Sequence, residues 1–285
     1  MTTEVIVTGT GTPLVQPHLA GPGVLVRYGD LALQFDAGRN TLARIKAAGT
    51  EIGDLTTVFL THYHSDHLVG LQDIVLSHFT HDFENVFDRL ELVAPSGATK
   101  RYCDRMLDIW DDDLHVRAGH RANNSADPKV DVSGFDVPMS PTEVWSRGEV
   151  RVLAGPVRHE PVVGAVGFRI ETPDGVVVIT GDTLVCDEVA ELARGADVVV
   201  YEAMRFDVVQ NHFPPSMRYV TEYHADAPEI GRQMAALEIP NVMLTHLIPA
   251  TNLPGGDGYE ADVRAAGYTG NLVVCDDLDQ IVLQS

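Results

Sequence analysis

A chain of 285 residues, 45% hydrophobic and 21% charged, can bury a sizeable core and is neither disordered nor fibrous in composition. Its 20 Lys and Arg against 41 Asp and Glu leave a net charge of −21, and no basic run of the kind that grips a phosphate backbone occurs, so nucleic acid is not an expected partner. Cys103, Cys186 and Cys275 are odd in number and lack CxxC spacing, which indicates neither a disulfide framework nor a zinc knuckle. With no basic and apolar leader and no run of about 18 apolar residues, the expectation is a cytoplasmic protein without membrane insertion.

In chain order, EVIVTG (4–9) and GVLVRYGDLALQFDAG (23–38) read as strands, the second folding back at Tyr28-Gly29-Asp30. NTLARIKAAG places Leu42, Ile45 and Ala48 at helical spacing and stops at Gly49. TTVFLTH is a strand, LVGLQDIVLSHF a buried helix, and LELVAPSGATKRYCDRML another strand and helix. From Trp110 to Arg147 the pattern dissolves into a polar stretch too long for an ordinary connection, expected to be a lid or a floppy insertion. Strands return around a Pro173-Asp174-Gly175 turn, followed by the helix EVAELARGA, the strand DVVVYEA, a helix beginning near Asp226, the strand NVMLTHL and a closing NLVVCDDLDQIVL. Two β-rich halves with helices outside imply an α/β fold, a four-layer αββα sandwich in one domain spanning 1–285.

The densest chemistry is THYHSDH at 61–67, directly after a strand. A strand end holds backbone firmly while the loop beyond it turns side chains toward one point. Neutral imidazoles and carboxylates are ligands for zinc and its neighbours, and His-x-His-x-Asp-His offers four of them at His62, His64, Asp66 and His67. The plainer alternative is a histidine cluster beside a helix start capped by Asp66.

This stretch resembles the HxHxDH hallmark of the metallo-β-lactamase superfamily, and the likeness runs over nearly the whole chain. GPVRHEP supplies His159, VVVITGDT supplies Asp182 and VMLTHL supplies His246, in the family's order. VTGTGTP, LQFDAGRNTLARI and the tail from Tyr201 to Leu247 resemble the ribonuclease Z and arylsulfatase-like branch. The resemblance implies two divalent cations, zinc first with iron or manganese next: one on His62, His64 and His159, a second on Asp66, His67 and His246, with Asp182 between them. Such a pair lowers the pKa of a shared water toward about 7, with Asp66 beside it. It also implies that His224 in TEYHADAPEIGRQ donates a proton to the leaving group and that Glu202 in VVYEAMRF orients it.

His18, His78, His81, His115, His120 and His212 lack a matching context and read as surface or loop residues. The GTGTP glycines precede no helix and are a close turn, not a nucleotide fingerprint. Arg158, Phe213, Trp110 and Trp145 are candidates for lining a pocket, and equally for packing.

Hydrolysis is fixed more firmly than the bond broken. The main expectation is a small-molecule substrate: a phosphodiester, sulfate ester, lactone or carboxylate ester. The alternative is a tRNA 3′-processing endoribonuclease, and a metal-binding module without turnover is third. Against RNA stand the acidity and the interval from His159 to Asp182, which reads as a plain hairpin with a single Arg where short ribonuclease Z proteins carry a basic arm. A homodimer is left open.

Overall fold

The computed structural model describes residues 1–284. The chain opens with β1 (Thr3–Gly9), β2 (Gly23–Tyr28), β3 (Leu31–Phe35), α1 (Thr41–Ala47) and β4 (Thr57–Phe59). It continues through α2 (Ser65–Leu68), α3 (Leu71–His81), β5 (Leu90–Pro95), α4 (Ala98–Arg105), α5 (Asp111–Ala118) and β6 (Val130–Phe135). The second half holds β7 (Thr142–Arg147), β8 (Val150–Pro156), β9 (Val166–Thr172), β10 (Gly175–Ile179), α6 (Asp187–Ala193) and β11 (Val198–Met204). It ends with α7 (Phe206–His212), α8 (Ala227–Ala236), β12 (Asn241–Ile248), α9 (Tyr259–Ala265), β13 (Asn271–Val274) and β14 (Gln280–Leu283).

Each half makes one seven-stranded sheet, in the orders β14-β1-β2-β3-β4-β5-β6 and β13-β12-β11-β10-β9-β8-β7. Strands β3 to β6 run parallel, as do β10 to β13, and strands sandwiched in this way are covered on both faces. That is why VVVYEAM and TVF are unbroken buried runs and not alternating ones. Between the sheets, Phe35 stacks on Phe59 at 4.8 Å and both meet Phe168. Outside the first sheet Ile45, Ile74, Val75 and Cys103 pack from α1, α3 and α4, and outside the second Leu192, Ile230, Met234 and Val263 pack from α6, α8 and α9. Truncating one of these buried aromatics to Ala typically costs about 3–5 kcal/mol. The architecture is the expected αββα sandwich.

The stretch 110–147 is neither a lid nor a floppy insertion. It carries α5, then β6 paired along β5 on the edge of the first sheet, then β7 paired with β8 on the edge of the second, so it is the crossing between the halves. Edge strands keep one face in water and are polar by necessity, which hid them from a hydrophobicity reading. The crossing is tied down by buried Asp82, whose carboxylate meets Arg121 at 3.3 Å and Lys129 at 2.8 Å. Here His78 departs from expectation too: it is buried on α3 with its ring 5.3 Å from that of Phe87, while His18, His81, His115, His120 and His212 are exposed. Among the described residues no helix is long and apolar enough to cross a membrane.

Candidate metal centre

The C-terminal ends of β3, β4, β8, β10, β11 and β12, with the loops that follow, bring the motif residues together. Two glycines make the convergence sterically open. A Cβ on Gly38 would lie 2.6 Å from the Asp66 carbonyl, and Gly181, at φ +62, lies so close to Thr61 that a Cβ would come within 2.9 Å of that side chain. Gly38 thus lets the β3 loop slide under Asp66, and Gly181 aims Asp182 inward.

Asp182 Oδ2 is the hub. His67 Nε2 stands 3.4 Å from it, His246 Nε2 3.6 Å, His159 Nε2 3.8 Å and His62 Nε2 3.9 Å. His64 Nδ1 faces His159 Nε2 at 3.3 Å, and Asp66 Oδ2 faces His246 Nε2 at 3.4 Å. His62, His64, His159 and Asp182 form one group of mutually close donors, and Asp66, His67 and His246 another.

The outer nitrogens are already committed. His67 Nδ1 donates to Asp36 Oδ2 at 2.7 Å, and the Thr61 hydroxyl donates to the same oxygen at 2.8 Å while accepting from His62 Nδ1 at 2.9 Å. His159 Nδ1 donates to the Tyr223 carbonyl at 2.9 Å. In a neutral ring each of these bonds places the one proton outside and leaves the Nε2 lone pair toward the hub. Asp36, Thr61 and the Tyr223 carbonyl are site residues that sequence reasoning missed. Asp36 has a signal, a carboxylate at a strand end just before Ala-Gly. Its backbone is left-handed, φ +56.

The donor set fits cations. His62 Nε2, His67 Nε2 and Asp182 Oδ1 are buried without a hydrogen-bond partner, an arrangement that is costly unless something else satisfies them. Donors held 2.0–2.2 Å from one tetrahedral cation stand roughly 3.3–3.6 Å apart, which is close to the spacings around Asp182. The electrostatics agree. Burial lowers His159 to about 4 against the pull of Asp182, and burial together with the neighbouring imidazoles holds His62 far below its usual range, so both are neutral ligands. Burial also works against a proton on His67, but Asp182 and Asp36 raise it well above the usual value. Without a cation the two carboxylates demand positive charge there, and a bound cation supplies it in place of the proton.

His224 stands beside this cluster and makes a different contact. Its Nδ1 meets Glu202 Oε1 at 2.8 Å, and that oxygen also accepts the Thr183 N–H at 3.0 Å. The His224 ring stacks on His246 at 5.5 Å, which keeps Nε2 near Asp182 and His246. Burial would lower its pKa, but the Glu202 carboxylate, with help from Asp182, raises it to about 9. Burial meanwhile pushes the Glu202 carboxyl up.

Of the pocket candidates, Trp145 packs edge-on against Phe59 at 5.7 Å, Trp110 is bonded to Gln72, and Arg158 is paired with Glu188. Phe213 packs against the small apolar cluster of Met204, Val209 and Ile248 and lines a cavity with Thr12, Leu14 and Leu247. A cavity of about 30 Å³ lined by His67, Asp182, Glu202 and His246 lies at the centre. A cleft of about 670 Å³ opens around Arg27, Asp54, Arg89 and Arg147, away from these residues, and its arginines are paired with Glu4, Asp127, Asp131 and Glu91.

The fold and the cluster define a divalent-metal-dependent hydrolase. A family model described as a β-lactamase superfamily domain matches residues 29–247. Ribonuclease Z of Mycobacterium marinum is 31% identical over 278 residues, covering 98% of each chain. Among solved structures, the metallo-β-lactamase fold protein YhfI from Bacillus subtilis superposes with a TM-score of 0.77 at 17% identity, over 99% of this chain and all of that one. The short form of human tRNase Z superposes with a TM-score of 0.70 at 18% identity and the same coverage. The chain belongs to the metallo-β-lactamase superfamily, in its ribonuclease Z branch.

That finding overturns the expectation of a small-molecule substrate and no nucleic acid, because full-length relatives at this identity bear the name of an RNA-cleaving enzyme. The electrostatic argument failed for a physical reason. A net charge of −21 is a sum over the whole surface, whereas salt screens exposed charges beyond about 8–10 Å, so a substrate responds to the groups at the mouth of the site.

Proposed function

We propose that the chain is an endoribonuclease of the ribonuclease Z type, cutting tRNA precursors on their 3′ side. In this reading His62, His64 and His159 hold one divalent cation and Asp66, His67 and His246 a second, with Asp182 between them. Zinc suits a site of imidazoles and carboxylates at these spacings. The observation that carries the choice of RNA is the match to ribonuclease Z over 98% of both chains.

When bound, paired divalent cations supply Lewis acidity and bring the pKa of a water toward about 7. The chain's residues do the remaining work. Asp36, Thr61 and the Tyr223 carbonyl fix the tautomers of His67, His62 and His159, so the inner nitrogens carry no proton. Asp66 and Asp182 balance positive charge at the centre. His224, held by Glu202, keeps a proton on Nε2 at the edge of the cluster and delivers it to the departing ribose oxygen, which would otherwise leave as an alkoxide. The Thr183 N–H steadies the Glu202 carboxylate that steadies His224.

The test compares a tRNA precursor bearing a 3′ trailer with chromogenic phosphodiester, sulfate, lactone and carboxylate esters, all with zinc-loaded protein. The precursor is expected to give the highest kcat/KM by at least about tenfold. A small ester that outcompetes it by that margin refutes the reading.

A further inference from the structure

We infer that the segment 213–223 is the RNA-contacting rim of the site, with Tyr219 stacking on an unpaired nucleobase near the scissile linkage and Arg218 meeting the adjoining phosphate. This rests on the RNA reading above and names the surface that receives the strand.

The segment follows α7 as a Pro-initiated 3-10 turn, Pro215–Glu222, and runs directly into Tyr223 and His224. Its rings form a ladder from solvent to the metal donors. Tyr219 is 56% exposed and lies 6.0 Å from Tyr223, and Tyr223 in turn meets His159 edge-on at 5.2 Å and His224 at 4.9 Å. The Tyr223 backbone is locked as well, because its carbonyl receives His159 Nδ1. A base laid on the outer ring is therefore in register with a rigid path to the cluster. Aromatic faces accept any base, and sequence-tolerant stacking is how proteins seat single strands.

Arg218 supplies the charge. Its Nε donates to the Phe213 carbonyl at 3.2 Å, which orients the guanidinium and leaves both terminal nitrogens without an acceptor among the described residues. Of the other arginines near this end, Arg158 is neutralised by Glu188 at 2.7 Å and Arg205 by Asp262 at 2.6 Å, while half-buried Arg39 donates to the Thr12 carbonyl at 2.9 Å. On a protein this acidic, an oriented cation free of carboxylates is a local exception in the field, and its planar fork matches a phosphate. On the other side Phe213 packs against Met204, Val209 and Ile248, which fixes the start of the segment against β11, α7 and β12.

The experiment uses the full zinc-loaded chain and reads the ratio of kcat/KM for a trailer-bearing tRNA precursor to that for bis(p-nitrophenyl) phosphate, a phosphodiester with no nucleobase and no adjoining phosphate. The ratio cancels any general loss of folded protein. Tyr219→Leu is expected to lower it about 10–100-fold, mainly through KM for RNA, while Tyr219→Phe, which keeps the ring, stays within about twofold of wild type. Arg218→Ala should lower it too and make the salt dependence of RNA binding shallower by about 0.7–1 in log–log slope, with Arg218→Lys partly restoring both. If wild type cuts the precursor while Tyr219→Leu and Arg218→Ala keep its ratio and salt slope, the rim assignment is overturned and the RNA reading stands. If wild type turns over the small phosphodiester but cuts no RNA, both fall together.

Discussion

Asp36 accepts a hydrogen bond from His67 at 2.7 Å on the same oxygen that takes the Thr61 hydroxyl, so a single carboxylate on the β3 loop sets two imidazoles at once. It binds no substrate, yet it decides which nitrogens of His62 and His67 are free. Asp36→Asn should weaken metal binding about 10–100-fold, as loss of an outer carboxylate partner usually does, with the fold retained because Asn tolerates the left-handed backbone at φ +56. Metal titration with a chelating competitor reads it. Affinity equal to wild type would show that the tautomers are set elsewhere.

Asp182 lies within 3.9 Å of four imidazole nitrogens, so Asp182→Ala removes the charge that lets two cations sit side by side. Metal content should fall below two per chain and RNA cleavage should nearly vanish. Elemental analysis of the purified variant checks this, and two tightly held cations with full turnover would sink the ligand assignment.

His224→Ala should keep both cations and lose about 10²–10⁴ in kcat, the usual worth of a positioned general acid. The loss should shrink for p-nitrophenolate, a leaving group that needs little help. Equal losses on both kinds of substrate would remove His224 from the role.

The pH profile tests the Glu202 contact. The working form of His224 is protonated, and Glu202 helps raise its pKa to about 9, so activity should persist through neutral pH and fall on the alkaline side. Cations beside Asp182 cancel that carboxylate's share, which puts the limb in the loaded enzyme at or below about 9. Glu202→Gln removes the largest raising influence, so the limb must move to lower pH. A limb that stays in place, or moves up, contradicts the assignment.

What could be read from the sequence was whatever the chemistry concentrates locally. His62, His64, Asp66 and His67 fall within six residues on the loop and short helix after β4, His159 and Asp182 each follow an apolar strand and His246 lies near the end of one, so order and context exposed them before any coordinates did. Asp36 stayed hidden because its role is a contact across 31 residues, and His159's partner is a backbone carbonyl that no side-chain motif can mark. The strands β6 and β7 were lost because edge strands carry polar residues, and His78 because nothing local shows that its helix face is covered. Substrate class was misjudged by letting a whole-chain charge stand for the charge at the mouth.

Asp82 offers a stability test of the crossing that links the sheets. It is 1% exposed and neutralises buried Arg121, which also lies over the Phe79 ring at 4.3 Å. Asp82→Asn leaves that cation without its carboxylate and should cost about 3 kcal/mol, seen as a lower urea midpoint. An unchanged midpoint would mean the crossing is not anchored there.

In the proposed function this cluster, loaded with divalent cations, cuts RNA. The most direct measurement of this is the product pattern of an end-labelled tRNA precursor with a 3′ trailer, incubated with zinc-loaded protein, with chelated protein, and with Asp182→Ala. A single cut on the 3′ side of the tRNA body is expected with zinc and in neither of the other two. No cut with zinc, or the same cut surviving chelation and Asp182→Ala, would contradict that function.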